Sequence, residues 1–565
     1  MIYRQEHPNP QFMRDNWTNL NGLWQFEIDH GNSGEARKLY ESEKAFSMEI
    51  QVPFCPESKL SGIGYTDFMG SVWYRRSITV TEAQLEGRIL LHFGAVDYEA
   101  TVYVNGNRCG SHRGGFVSFA MDITEYLTAG ENTLVVHATD DSRDLLIPSG
   151  KQSDRYESYG CFYTRTTGIW QTVWLEFVPQ THIQSVKYVT DIEKGVLHIT
   201  AAVSGSGTLR ASASYEGKPM GSAQTQAQGG TVQMSLPLEE CHLWEVGKGR
   251  LYDLELTYGE DLVHSYFGMR SVRLDDYRFL INEKSVFQRL ILDQGFYPDG
   301  IYTAPDDREL VGDIQRSLDM GFNGARLHEK IFEKRFLYHC DRMGYIVWGE
   351  YPNWGLDHSD PRAVYHVLPE WLEELERDYN HPSIVGWCPF NETWDCQGRK
   401  QYDPMLSLVY KATKAVDPTR PCIDTSGNFH VLTDIFDVHN YTQDPAVLQK
   451  TYENLPESME DRHACRQKYQ KGQPIFVSEY GGIAWSDDPA GWGYGNAPAS
   501  REEFMSRFQG LTDVLLDHPY MFGFCYTQLT DVEQEQNGLY TYDRTPKFDP
   551  AEIRKIVARK AAIED

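Results

Sequence analysis

Ile384-Val385-Gly386-Trp387-Cys388-Pro389-Phe390-Asn391-Glu392 is an apolar run of strand length that ends on an amide and a carboxylate. A second run of the same kind, Ile475-Phe476-Val477-Ser478, ends on Glu479. Outward from these, further apolar runs recur at about 286–292, 322–327, 345–349, 420–424, 434–438 and 521–526. Helix-period segments alternate with them, among them Asp306–Met320, Pro369–Tyr379 and Arg501–His518. Eight buried strands alternating with helices predict a (β/α)8 TIM barrel over residues 274–565. In that fold the chemistry sits at the C-terminal ends of the strands. Glu392 and Glu479 end what count as strands four and seven.

Ahead of the barrel the rhythm is that of strands. Leu23–Ile28 and Val72–Ile78 alternate, Ala100–Val104 stops at the hairpin signal Asn105-Gly106, and Thr133–Ala138 and Val173–Phe177 continue the pattern. Residues 1–180 are expected to form a jelly-roll β-sandwich. Val196–Thr200 and Leu251–Leu256 are period-2 runs in a shorter segment, 181–273, which fits an immunoglobulin-like β-sandwich. Between those runs the polar stretch Gly221 to Gly230 reads as a loop.

A chain of 565 residues is too long for a single core and is expected to be multi-domain. Its net charge of −28 opposes binding to nucleic acid and to anionic membrane surfaces. Aromatics at 13% supply flat faces suited to the C–H faces of sugars as well as core. The start, Met-Ile-Tyr-Arg-Gln-Glu-His-Pro, lacks a signal-peptide core, and no run reaches the roughly 18 apolar residues of a membrane span. Ten cysteines fall without CxxC spacing or a disulfide framework. These features predict a soluble cytoplasmic protein with free thiols and no cofactor.

Two carboxylates at one barrel mouth are what glycoside cleavage needs. One protonates the leaving oxygen, and the other, ionised, attacks the anomeric carbon. Either glutamate alone would read equally well as a helix cap or an ion-pair partner. The pair, with Asn391 beside the first, favours catalysis with a carbohydrate as partner. A non-catalytic carbohydrate-binding protein on the same scaffold is the rival reading. A barrel esterase or lyase is disfavoured, since neither GxSxG nor HExxH occurs.

The chain resembles glycoside hydrolase family 2, the family of β-galactosidases, β-glucuronidases and β-mannosidases. Asn21-Gly22-Leu23-Trp24-Gln25-Phe26, Val96–Gly106 and Gly168-Ile169-Trp170-Gln171 are similar to its N-terminal domain. His381-Pro382-Ser383-Ile384 followed by Asn391-Glu392 is similar to its acid/base segment, and Val477-Ser478-Glu479 to its nucleophile segment. The resemblance implies an exo-acting retaining β-glycosidase, often a homo-oligomer. It makes Glu479 the nucleophile, Glu392 the acid/base, and Asn391 the partner of the sugar 2-hydroxyl. Arg326 and Tyr441 would support the nucleophile, with His439 in the same strand-six segment. Glu350 matches a strand-three acid and fits a structural ion pair equally well; His328 sits one position closer to Arg326 than the family's usual histidine.

Departures from the family pattern bear on the sugar. Strand one reads Ile291-Leu292-Asp293-Gln294, where many members have Asn-x-His-Glu, and Asp293 offers an acceptor for ring hydroxyls. Tyr526 takes the place expected of a strand-eight tryptophan platform. No residue matches the metal ligands of some β-galactosidases. The Asn-x-Lys pair that β-glucuronidases use for the uronate is absent, the chain reading Glu535-Gln536-Asn537 there. A sugar carboxylate would then face Glu533 and Glu535 without a cation. A neutral sugar, β-galactoside first, is therefore expected; β-glucuronide and α-L-arabinopyranoside are the alternatives. Repulsion from ionised Glu479 is expected to raise the Glu392 pKa.

Overall fold

The structure, a computed structural model, describes residues 2–41, 45–460 and 463–564. The first sandwich packs a six-stranded antiparallel sheet on a four-stranded one. In the larger sheet Gly22–Ile28, Ser71–Val80, Gly130–Thr139 and Glu99–Val104 lie side by side. Period-2 alternation works as expected: Trp24 and Phe26 enter the core, while Gln25 between them is exposed and Leu23 ahead of them is 63% exposed. Asn105 and Gly106 both take positive φ, +51° and +80°, the two-residue hairpin their side chains favour.

The second unit is built on one bent hairpin. Val196–Tyr215 pairs His182–Asp191 through its first half and Tyr252–Tyr258 through its second. The register breaks between Val203 and Ser206, where Gly205 supplies φ +76°. Lys218–Pro237 follows Val196–Tyr215 along its length, so Gly221 to Gly230 is strand, not loop. One face of this strand is open to water, and small polar residues there erase the alternation that marks a strand.

In the barrel seven parallel strands are ordered. They are Gln288–Asp293, Gly324–Leu327, Ile346–Glu350, Ile384–Cys388, Phe436–Asn440, Ile475–Gly481 and Met521–Thr527. The fifth position, expected at 420–424, is not a laddered strand. Its backbone meets strand four and the residues after it through the isolated bridges Trp387–Cys422 and Asn391–Ser426. Side chains replace the ladder on its other side: Asp437 accepts from Ser426 Oγ (2.6 Å) and from the Gly427 amide (3.1 Å). Helices Asp307–Asp319 and Arg501–Leu516 match expectation, whereas the third, Val364–Asp378, begins five residues before Pro369 and carries that proline in its second turn. No described helix is long and apolar enough to cross a membrane.

Candidate active site

Arg326, buried at the end of strand two, organises the mouth of the barrel. Its Nη1 donates to Glu479 Oε1 (3.0 Å) and to the Ser478 carbonyl (2.8 Å). Nη2 donates to Asn391 Oδ1 (2.9 Å) and Nε to Glu350 Oε1 (2.5 Å). The guanidinium is a rigid planar fork of donors, so one residue fixes the ends of strands three, four and seven relative to one another. Tyr441 donates to the other oxygen of that carboxylate, Glu479 Oε2, at 2.5 Å. Each oxygen of Glu479 thus has a donor.

Asn391 is clamped from strand three. Asn353 Oδ1 accepts from its amide (2.6 Å), and Asn353 Nδ2 and Trp354 Nε1 both donate to its carbonyl (3.0 Å each). The next residue, Glu392, takes φ +44°, a left-handed conformation that a non-glycine residue holds only when its surroundings enforce it. This turn aims the carboxylate across the mouth toward Glu479. One oxygen of each glutamate and a nitrogen of His439 all lie within 4.8 Å of one another. That closeness is compatible with a retaining pair, whose carboxyl groups sit about 5–5.5 Å apart.

His439 lies between the two carboxylates, its Nδ1 2.5 Å from Glu392 Oε1 and 3.3 Å from Glu479 Oε2. Burial lowers the His439 pKa, but Glu479 and Glu392 outweigh it and raise the imidazole above its usual 6.5. Glu392 is held below its usual 4.5: burial raises it, and His439, Lys151 and Arg326 overcome that. The direction expected from repulsion alone is therefore reversed in the free protein, because a proton shared by the pair resides on His439. The three side chains could ligate a metal, but a protonated His439 beside Arg326 opposes a further cation.

The remaining predicted residues separate into two groups. Arg326, Asn391, His439, Tyr441 and Glu350 form one network with the two glutamates. His328 joins it at one remove, Nδ1 to Glu350 Oε2 at 3.1 Å, and burial pushes its pKa well down. Asn391 Nδ2 is buried without a partner, a donor left for a ligand. Asp293 is outside: its carboxylate accepts from the Gly295 amide (2.9 Å), and burial, then Asp313, raise it to about 7. Tyr526 is also outside. Its ring packs edge-on against Tyr480 and Phe508, the latter on the outer helix Arg501–Leu516. Alternation along strand eight gives the mouth to Thr527 instead, whose Oγ1 lies 3.0 Å from the Tyr441 hydroxyl.

Four contributors escape a sequence reading: Trp354, Asn353, Tyr494, which stacks on Tyr441 at 3.5 Å, and Lys151. Lys151 belongs to the first sandwich, yet its Nζ sits 3.5 Å over the Trp354 ring. Burial lowers its pKa, and Cys161, Glu535, Glu329 and Glu392 around it raise it to a net value above 10.5. The expectation of an acidic rim without a cation is thereby corrected. Glu533 turns to the Thr164 amide (3.2 Å), and Glu535 accepts from Tyr163 (2.5 Å) and Asn537 (3.1 Å). The hydrogen-bonded approach of Ser149 and Gly150, the latter at φ +55°, to Pro352 and Trp354 helps bring Lys151 in, and no local motif encodes it.

A sandwich ahead of a TIM barrel with paired carboxylates at its mouth is the build of a multi-domain glycoside hydrolase. Residues 17–175 match the sugar binding domain of glycosyl hydrolases family 2, and residues 272–561 match that family's TIM barrel domain. The chain belongs to glycosyl hydrolases family 2. It is 25% identical over 584 residues to a β-glucuronidase of Paenibacillus borealis, covering 94% of each chain. A β-glucuronidase of Rattus norvegicus is 24% identical over 625 residues, 97% of this chain and 91% of the relative. The solved Lactobacillus rhamnosus β-glucuronidase superposes with a TM-score of 0.81 at 20% identity, covering 99% of this chain and 100% of that one.

Proposed function

We propose that the protein is an exo-acting retaining β-glycosidase that removes a terminal β-linked uronic acid, β-glucuronide first. The single observation that carries the chemistry is the Glu392–His439–Glu479 cluster, two carboxylates within reach of one anomeric carbon. Glu479, held between Arg326 and Tyr441, attacks the anomeric carbon to give a glycosyl ester. Glu392 delivers the proton shared with His439 to the leaving oxygen. Once the ester forms, Glu392 takes a proton from the incoming water. Asn391 Nδ2 bonds the sugar 2-hydroxyl, a contact that strengthens in the transition state.

The sugar rests on full-length likeness to relatives named β-glucuronidase, which favours the uronide over the neutral galactoside expected from sequence. The galactoside argument depended on a missing cation, and Lys151 removes that premise. Comparing kcat/KM for nitrophenyl β-glucuronide, β-galactoside and α-L-arabinopyranoside tests the reading. The glucuronide should lead by tenfold or more, about 1.4 kcal/mol of transition-state binding. A galactoside lead of that size defeats the sugar assignment. A 2-fluoro-glucuronide should label Glu479; a label on another carboxylate defeats the mechanism.

A further inference from the structure

We infer that Lys151, reaching the barrel mouth from the N-terminal sandwich, is the residue that receives the carboxylate of the substrate sugar. The inference rests on the uronide reading above and assigns the charge recognition within it.

Lys151 is 5% exposed and lies against the indole face of Trp354, where cation–π attraction holds the ammonium in place. It makes no ion pair and no side-chain hydrogen bond with any described residue. Every other buried cation nearby is provided for. Arg326 has four acceptors on Glu479, Ser478, Asn391 and Glu350. Lys330 donates to the carbonyls of Gly295 and Tyr302. His439 has its two glutamates.

Of the carboxylates around Lys151, two are engaged elsewhere: Glu535 by Tyr163 and Asn537, and Glu392 by His439. Glu329 accepts the Trp354 amide on Oε2 and has no partner on its buried Oε1, and burial pushes its carboxyl well above the usual carboxylate range. An ammonium on a largely buried side chain, without a direct anionic partner, is incompletely satisfied, and an anionic group of the ligand would complete it. Its position selects which group. The indole under Lys151 is tied to the carbonyl of Asn391, the residue before the proposed acid/base. The ammonium therefore flanks the sugar that Glu392 and Glu479 share. A neutral hydroxymethyl in that place would leave the charge uncompensated; a uronate oxygen would pair with it directly.

The test uses the full-length protein and two substrates differing only at C6, nitrophenyl β-D-glucuronide and its carboxamide. Lys151→Met should lower the glucuronide:amide ratio of kcat/KM by about 100-fold, as loss of one partner of a buried charge pair does. Inhibition by free D-glucuronate should weaken in parallel, with Tm retained. Lys151→Arg should keep the ratio within tenfold of wild type, which holds the test open if the Met variant folds poorly. Equal losses on both substrates would make Lys151 a support for Trp354 and overturn the inference alone. A wild-type preference for β-galactoside overturns the uronide reading, and the inference with it.

Discussion

His439 stands between Glu392 and Glu479, and in the proposed mechanism the proton it holds is the one the leaving group needs. Its imidazole is raised above 6.5 by Glu479 and Glu392, so the pair keeps one proton until pH climbs past that value. Below it, Glu392 can draw the proton back as the aglycone departs; above it, none is left to give. The alkaline limb of kcat/KM should therefore belong to the His439–Glu392 pair and lie above 6.5. In His439→Asn the proton must sit on Glu392 itself, which keeps the burial that raises it and loses the imidazole that lowers it. The limb should then shift to report Glu392 alone, with aryl glycosides of good leaving groups losing least. A limb that stays in place would assign the titration to another group. His439 could be placed on a strand end from sequence, but its seat between the glutamates depends on where strands four and seven stop.

At the scale of elements, the decisive contact is a loop of the first sandwich against the loop after barrel strand three. Ser149 and Gly150 donate their amides to the Trp354 and Pro352 carbonyls at 2.9 and 3.2 Å. A Cβ on Gly150 would lie 2.4 Å from the Glu329 carbonyl oxygen, and the residue already sits at φ +55°. Gly150→Ala should destabilise by about 2–3 kcal/mol, from strain and displacement together, and lower kcat/KM because Lys151 moves with it. Gly160 is the control: its φ is +52° with nothing within 4 Å of a Cβ. Gly160→Ala should cost only about 1 kcal/mol and leave kcat/KM unaltered. Similar losses of activity in both variants would show that the loop does not position the site. Gly150 is an ordinary turn glycine in sequence; its close approach exists only once two distant elements dock.

Across the whole molecule, buried ion pairs tie the N-terminal arm to both sandwiches and to the barrel. Arg4 is bidentate to Glu333 at the start of helix Lys334–Met343, at 2.9 and 2.6 Å, and pairs with Glu6 at 2.6 Å. Arg14 bridges Asp261 of the second unit and Glu176 of the first, both at 2.8 Å. Arg4→Ala should cost about 3 kcal/mol by leaving Glu333 half-compensated against the barrel. A double-mutant cycle with Glu333→Gln in urea should recover part of that loss. Strict additivity would mean that the pair contributes nothing to holding arm and barrel together.

The sequence by itself determined the strand-rich units, the barrel and the two carboxylate-ended runs, because apolar periodicity and turn residues act over a few neighbours. Even its local failures have local causes. Gly221 to Gly230 is a strand whose open face carries no apolar signal, and the fifth barrel position replaces ladder bonds by Asp437. Only the tertiary structure decided that Tyr526 faces a helix while Thr527 faces the mouth, since a one-residue change in strand phase exchanges the two sides. It alone decided that Lys151, some 240 residues from Glu392 in the chain, acts electrostatically on it. Charge acts through space and not along the sequence, so the apparent lack of a cation at Glu535 could be resolved only by folding the first sandwich onto the barrel.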